Sequence, residues 1–119
     1  MTEQHIKMLD MLEQSTQKEV LTWSVGANSN IFYTTVNGCR IDVEASYDTS
    51  IKENVARLRL YNADGEIFSR QFFMKKFDVE EYDRVYHLYM VIKDKYYKVT
   101  ESENLIMTGL DQLLNKKDE

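Results

Sequence analysis

The chain predicts an α+β domain: one N-terminal helix, a five-stranded antiparallel meander, and two C-terminal helices packed on one sheet face. Three observations lead there. Apolar residues recur at helical spacing near the N-terminus and again after Phe77, whereas between these segments they alternate with polar ones. Asn37-Gly38 and Asn62-Ala63-Asp64-Gly65 interrupt the alternating stretch where hairpin turns belong. Helical and strand patterns stay segregated along the chain, which is the α+β order.

The first helix is expected over residues 2–17, capped by Thr2, with Ile6, Leu9, Leu12 or Glu13, and Thr16 on a thin stripe and Met8 and Met11 beside it. A first strand over Val20–Val25 turns Leu21, Trp23 and Val25 inward. The Asn37-Gly38 pair then sets a register by arithmetic, because a two-residue turn makes its flanking residues direct partners. Val36 faces Cys39, Thr34 faces Ile41 and Phe32 faces Val43 on one side; Thr35 faces Arg40, Tyr33 faces Asp42 and Ile31 faces Glu44 on the other. Cys39 thus belongs with Ile41 and Val43 and is expected to be a buried, quiet thiol.

A second hairpin spans Val55–Phe73, with Gly65 closing a three-residue loop. It is expected to pair Leu60 with Phe68 and Leu58 with Arg70, leaving Arg57, Arg59 and Tyr61 outward near Ile67, Ser69 and Gln71. Asp78 and Glu81 suggest a capping box for the next helix, with Phe77 stapled on Tyr82. Val85, Leu88 or Tyr89, Ile92, Tyr96 and Val99 form its buried stripe. Thr100 and Glu103 suggest a second capping box, and Ile106, Leu110 and Leu113 or Leu114 the core face of the last helix.

At 119 residues, 43% apolar and 29% charged, the chain fits a single domain over 1–119. Its net charge of −5 disfavours nucleic-acid phosphates and anionic membranes. No apolar run approaches the roughly 20 residues of a membrane span, and the acidic start is unlike a signal peptide. A lone cysteine precludes an internal disulfide and suits a reducing compartment, so a cytoplasmic location is expected.

Chemistry-bearing motifs are scarce. Two histidines and one cysteine make no zinc pattern, and four scattered glycines make no phosphate loop, so neither metal nor cofactor is expected. Two candidate binding surfaces remain. One is the outward sheet face, where Tyr33, Arg40, Arg57, Arg59 and Tyr61 converge; arginine interleaved with tyrosine suits a protein contact or single-stranded nucleic acid. If this face binds a partner, Arg57→Ala with Arg59→Ala should abolish partner recovery and leave stability nearly unchanged, since these charges are expected to be exposed. The other is a helical strip of Tyr82, Tyr86, Tyr89 and Tyr96, in which Tyr86 and Tyr89 are the candidate contacts.

The succession of a short helix, Leu21-Thr22-Trp23, the Asn-Gly and Asp-Gly hairpins, then Tyr86-His87-Leu88-Tyr89 on a helix resembles small uncharacterised α+β proteins of bacteria and their mobile elements. The resemblance spans nearly the whole chain. It implies a bacterial or phage setting and carries no catalytic residue across. The function expected is a small non-catalytic protein-binding module, an adaptor, regulator or inhibitor, with another protein or a second copy as partner. The alternative is a single-stranded nucleic-acid or nucleotide binder acting through the Arg/Tyr face.

Overall fold

Turn chemistry sets the sheet, and the helices pack where its apolar face lies. The computed structural model describes the backbone of residues 1–117 and side chains through Lys116. Its order is α1 (Glu3–Gln17), β1 (Ser24–Val25), β2 (Ile31–Val36), β3 (Cys39–Asp48), β4 (Glu53–Tyr61), β5 (Ile67–Met74), α2 (Val79–Tyr97) and α3 (Val99–Lys117). The strands form one antiparallel meander, β1-β2-β3-β4-β5.

α1 starts as expected, with Thr2 Oγ1 accepting from the His5 N–H at 3.1 Å and Leu9, Leu12 and Thr16 buried. The first strand is shorter than expected. The N–H groups of Val20 and Leu21 donate back to the Ser15 carbonyl, so this stretch closes the end of α1 and leaves only Ser24 and Val25 to pair with β2. The Thr16 hydroxyl locks the corner: it accepts from Trp23 Nε1 at 2.9 Å and donates to the Leu12 carbonyl at 2.7 Å. A buried hydroxyl is thereby fully satisfied, and the indole is tied to the helix.

The β2–β3 register agrees with the expectation at every pair, from Val36↔Cys39 to Ile31↔Glu44. Asn37 and Gly38 take φ values of 50° and 81°, the left-handed pair that such a turn requires. The second hairpin departs from expectation by one residue. Its loop is the expected one: Asn62 N–H donates to the Glu66 carbonyl, Gly65 has φ of 83°, and Tyr61 pairs with Ile67. A bulge between Leu60 and Tyr61 then shifts the ladder, so Leu60 meets Ser69 and Leu58 meets Gln71. Arg57 and Arg59 accordingly lie opposite Phe72 and Arg70, and Phe68 is extruded with 64% of its surface exposed.

One sheet face carries Phe32, Ile41, Val43, Ala45, Leu58 and Leu60, and α2 covers it with Tyr82, Val85, Leu88, Tyr89 and Ile92. Each fully buried Val, Leu, Ile or Phe among them contributes about 1.5–3 kcal/mol. α1 lies beside α2 and reaches the sheet through His5 Nδ1, 3.2 Å from Gln71 Nε2.

The expected capping boxes do not form. Asp78 makes no cap bond; its Oδ2 accepts from the Met74 N–H and holds the end of β5 instead, while Phe77 stays exposed. Lys98, left-handed at φ 52°, ends α2, and Thr100 lies inside α3, donating its N–H and hydroxyl to Asp94 Oδ1 at 2.9 and 2.8 Å. Those bonds hold the Asp94 carboxyl below its ordinary pKa. The expected burial of α3 is also overturned: Ile106, Leu110, Leu113 and Leu114 are exposed, because the corner at Lys98 turns the helix away from the sheet. Tyr96 and Val99 are likewise exposed.

The tight turn is testable. A Cβ on Gly38 would meet only Ala63 at 3.6 Å, so the obstacle is the backbone conformation and not space. Gly38→Val should cost about 1–3 kcal/mol in denaturant unfolding; an unchanged midpoint would contradict the turn.

Candidate functional site

The candidate residues of the sheet do come together on the uncovered face, because β2, β3 and β4 align them in register. Their chemistry differs from the expectation. Asp42 and Glu44 are only 4% and 7% exposed on a face that no helix covers. Their neighbours cover them: Arg40 Nε donates to Asp42 Oδ1 at 2.7 Å, and Tyr61 Oη donates to Asp42 Oδ2 at 3.1 Å. Glu44 is held from both sides, by Arg57 at 2.6 Å and Arg59 at 3.1 Å, and Arg57 also reaches Asp48 at 3.5 Å.

Aromatic rings complete the layer. The Arg40 guanidinium sits 4.2 Å from the Tyr33 ring centroid, and Arg57 sits 4.9 Å from that of Phe72. The Asp42 hydrogen bond raises the pKa of Arg40, and burial followed by the Asp42 charge raises that of Tyr61. Arg57 and Arg59 are therefore half-buried members of a closed ion network, not free surface charges. Of the arginines on this sheet face, Arg70, exposed opposite Arg59, is in none of these pairs.

The tyrosines of α2 divide into two groups. Tyr89 is buried against Phe32, with ring centroids 5.6 Å apart, and so belongs to the core. Tyr82 is buried too, while Tyr86 stacks between them and keeps 40% of its surface exposed. Burial pushes the phenols of Tyr82 and Tyr89 up from their ordinary value. His87 meets Glu13 at 2.9 Å in a shallow depression between α1 and α2, beside the Arg84–Asp10 pair at 3.9 Å. Both pairs link the two helices; all their side chains are exposed except Glu13, which is partly buried. Among the described residues, no group of three or more His, Cys, Asp or Glu side chains is placed to hold a metal ion, and no helix is long and apolar enough to cross a membrane.

A further surface escaped the sequence reading. An open groove of about 730 Å³ runs between α1 and the apolar sheet face. Met8, Met11 and Leu12 form its helical wall, Val36, Cys39, Ile41 and Leu60 its floor, and Val20, Leu21 and the extruded Phe68 its ends. Cys39 points to the expected face but lies at this opening, partly exposed, outside the packed core. The placement of Met8 and Met11 beside the α1 stripe was the one sequence signal for the groove. His5 and Lys7 line it, and no carboxylate does.

Comparison with known proteins finds no matching family model, no matching curated protein and no matching solved structure. No residue role is carried over from another protein.

Two predictions follow from this geometry. Arg57→Ala with Arg59→Ala should lower unfolding stability by about 1–3 kcal/mol, since Glu44 is left desolvated without a partner. Adding Glu44→Gln should recover part of the loss in the same urea titration; an unchanged stability in the double variant would contradict the closed network. The phenols give a pH dependence. Their folded pKa values lie above the ordinary 10.0, so the native state holds its protons more tightly than the unfolded chain. That contribution is complete below the unfolded pKa and is lost as pH rises through the folded values. Stability should fall above pH 10.0, and Tyr82→Phe with Tyr89→Phe should flatten the decline.

Proposed function

We propose that the protein is a non-catalytic protein-binding module whose groove between α1 and the sheet receives an apolar segment of another protein, flanked by acidic residues. The groove carries this reading. It is lined by apolar side chains, stays open along one side, and has a volume of about 730 Å³, enough for several side chains of an extended or helical segment. Met8 and Met11, flexible and polarizable, suit a surface that adapts to its occupant. In a chain of net charge −5 the groove is lined by Lys7 and His5 without a carboxylate, which favours acidic flanks on the partner.

The nucleic-acid alternative draws less support from the same geometry. Phosphate binding needs cationic donors that are free, and Arg40, Arg57 and Arg59 already spend theirs on Asp42, Glu44 and Asp48. Opening that network would uncover two buried carboxylates beneath an incoming polyanion.

A displayed library of random peptides provides the probe. Selected binders should be apolar with acidic flanks, should slow thiol labelling of Cys39, and should be lost with Met11→Asp or Phe68→Asp while the melting temperature holds. Both residues are exposed, so neither change disturbs the core. Binders insensitive to both substitutions, or tight binding of a fluorescent oligothymidylate at physiological salt, would overturn the proposal.

A further inference from the structure

α3 is a nineteen-residue helix that buries none of its described side chains. Its principal packing partner is α2, and the αL corner at Lys98 with the Asp94–Thr100 bonds directs it outward. The consequence shows in the dimensions. The radius of gyration is 17.7 Å and the long axis 63 Å, whereas a compact domain of this length has a radius of roughly 13–14 Å. Yet α3 is not polar. Leu105, Ile106, Met107, Leu110, Leu113 and Leu114 are each 49–68% exposed. Ile106, Leu110 and Leu113 repeat at the three-and-four spacing of a helix–helix seam.

From this surface we infer that the protein is a two-fold homodimer in which α3 pairs antiparallel with α3 of a second copy. Three independent features select a second copy as the occupant. The first is area. Each of those six side chains presents on the order of 100 Å², and together with Val99 and with Tyr96 and Tyr97 at the adjoining end of α2 the exposed apolar surface amounts to about 800 Å² per copy, the share of a standard interface.

The second is charge. Glu101 and Glu103 lie in the first turns of α3, and Lys116 and Lys117 in its last. In an antiparallel pair Glu101 and Glu103 of each copy meet Lys116 and Lys117 of the other, setting opposite charges together across the two-fold axis. A parallel pair would set like charges together. The mixed and partly acidic charge of α3 also disfavours an anionic lipid surface as occupant.

The third is Gly109, near the middle of α3 and next to the seam. In a helix interior glycine costs about 1 kcal/mol relative to alanine. Among the described residues nothing calls for it: its φ is not in the left-handed region, and beyond its chain neighbours and its own helix backbone a Cβ there would meet no atom within 4 Å. A glycine at the centre of an antiparallel pair lets two helix backbones approach closely.

Sedimentation of the full chain tests the inference. The wild type should have twice its monomer mass of 14.1 kDa, and Leu110→Asp should reduce it to the monomer. Because α3 supplies nothing to the core, the Leu110→Asp protein should keep the near-ultraviolet signal of Trp23. Charge reversal provides a second arm. Glu101→Lys with Glu103→Lys, or Lys116→Glu with Lys117→Glu, should each weaken association about tenfold or more. All four substitutions in one chain should restore it. A monomeric wild type, a Leu110→Asp dimer, or reversed sets that do not rescue each other would overturn the antiparallel pair.

Discussion

The side chains of β2, β3 and β4 point where they do because the β2–β3 hairpin closes over two residues. Asn37 and Gly38 both take positive φ, which makes Val36 and Cys39 direct partners and leaves no freedom in the pairs behind them. Strand side chains alternate with a period of two, so a slip of one residue would exchange the two faces. Phe32, Ile41 and Val43 would then face water while Asp42 and Glu44 entered the core. β4 takes its faces from β3 through continuous pairing, and α2 packs where the apolar side chains emerge. The helical layer is thus a consequence of one tight turn.

The opposite face illustrates how charge behaves when a sheet supplies its own neighbours. Tyr33, Arg40, Arg57, Arg59 and Tyr61 look in isolation like a cationic aromatic surface. The register interleaves Asp42 and Glu44 among them at strand spacing, close enough for direct hydrogen bonds. Arginine stems and aromatic rings cover the carboxylates, the carboxylates engage the guanidinium groups, and the layer excludes water without a helix above it. A surface so compensated gives structural specificity to the sheet more readily than it offers charge to a ligand.

Apolar surface is left over in two places, for different physical reasons. The groove exists because α1 leans on α2 and bridges to the sheet by a single polar contact, His5 to Gln71, leaving a wedge above Cys39 and Ile41. The bulge at Leu60 and Tyr61 enlarges it by extruding Phe68 to the rim. α3 is uncovered because a left-handed residue between two helices changes the chain direction. A helix draws most of its stability from an apolar face that is packed, and the α3 face finds no such cover among the described residues. The groove and the helix lie on separate elements, and each can be occupied without the other.

The fold class, the meander, the register of the first hairpin and the loop of the second were all legible in the amino-acid pattern. All of these rest on local interactions: turn dihedrals, alternation and helical periodicity act within a few residues of one another. The pattern also located the α3 stripe and the outward set of arginines and tyrosines. What those residues meet was settled by packing between distant segments. Periodicity distinguishes an apolar face but not what covers it, so Ile106, Leu110 and Leu113 had the signature of core and are exposed. The capping boxes at Asp78 and Thr100 gave way to bonds with Met74 and Asp94 because a capping side chain takes whichever partner the chain path brings nearest. The same holds for Arg57 and Arg59, whose partner Glu44 is distant in sequence and adjacent only across the ladder. Whether a charge is free, a thiol buried or an apolar stripe covered depends on long-range contacts, and those are set by packing.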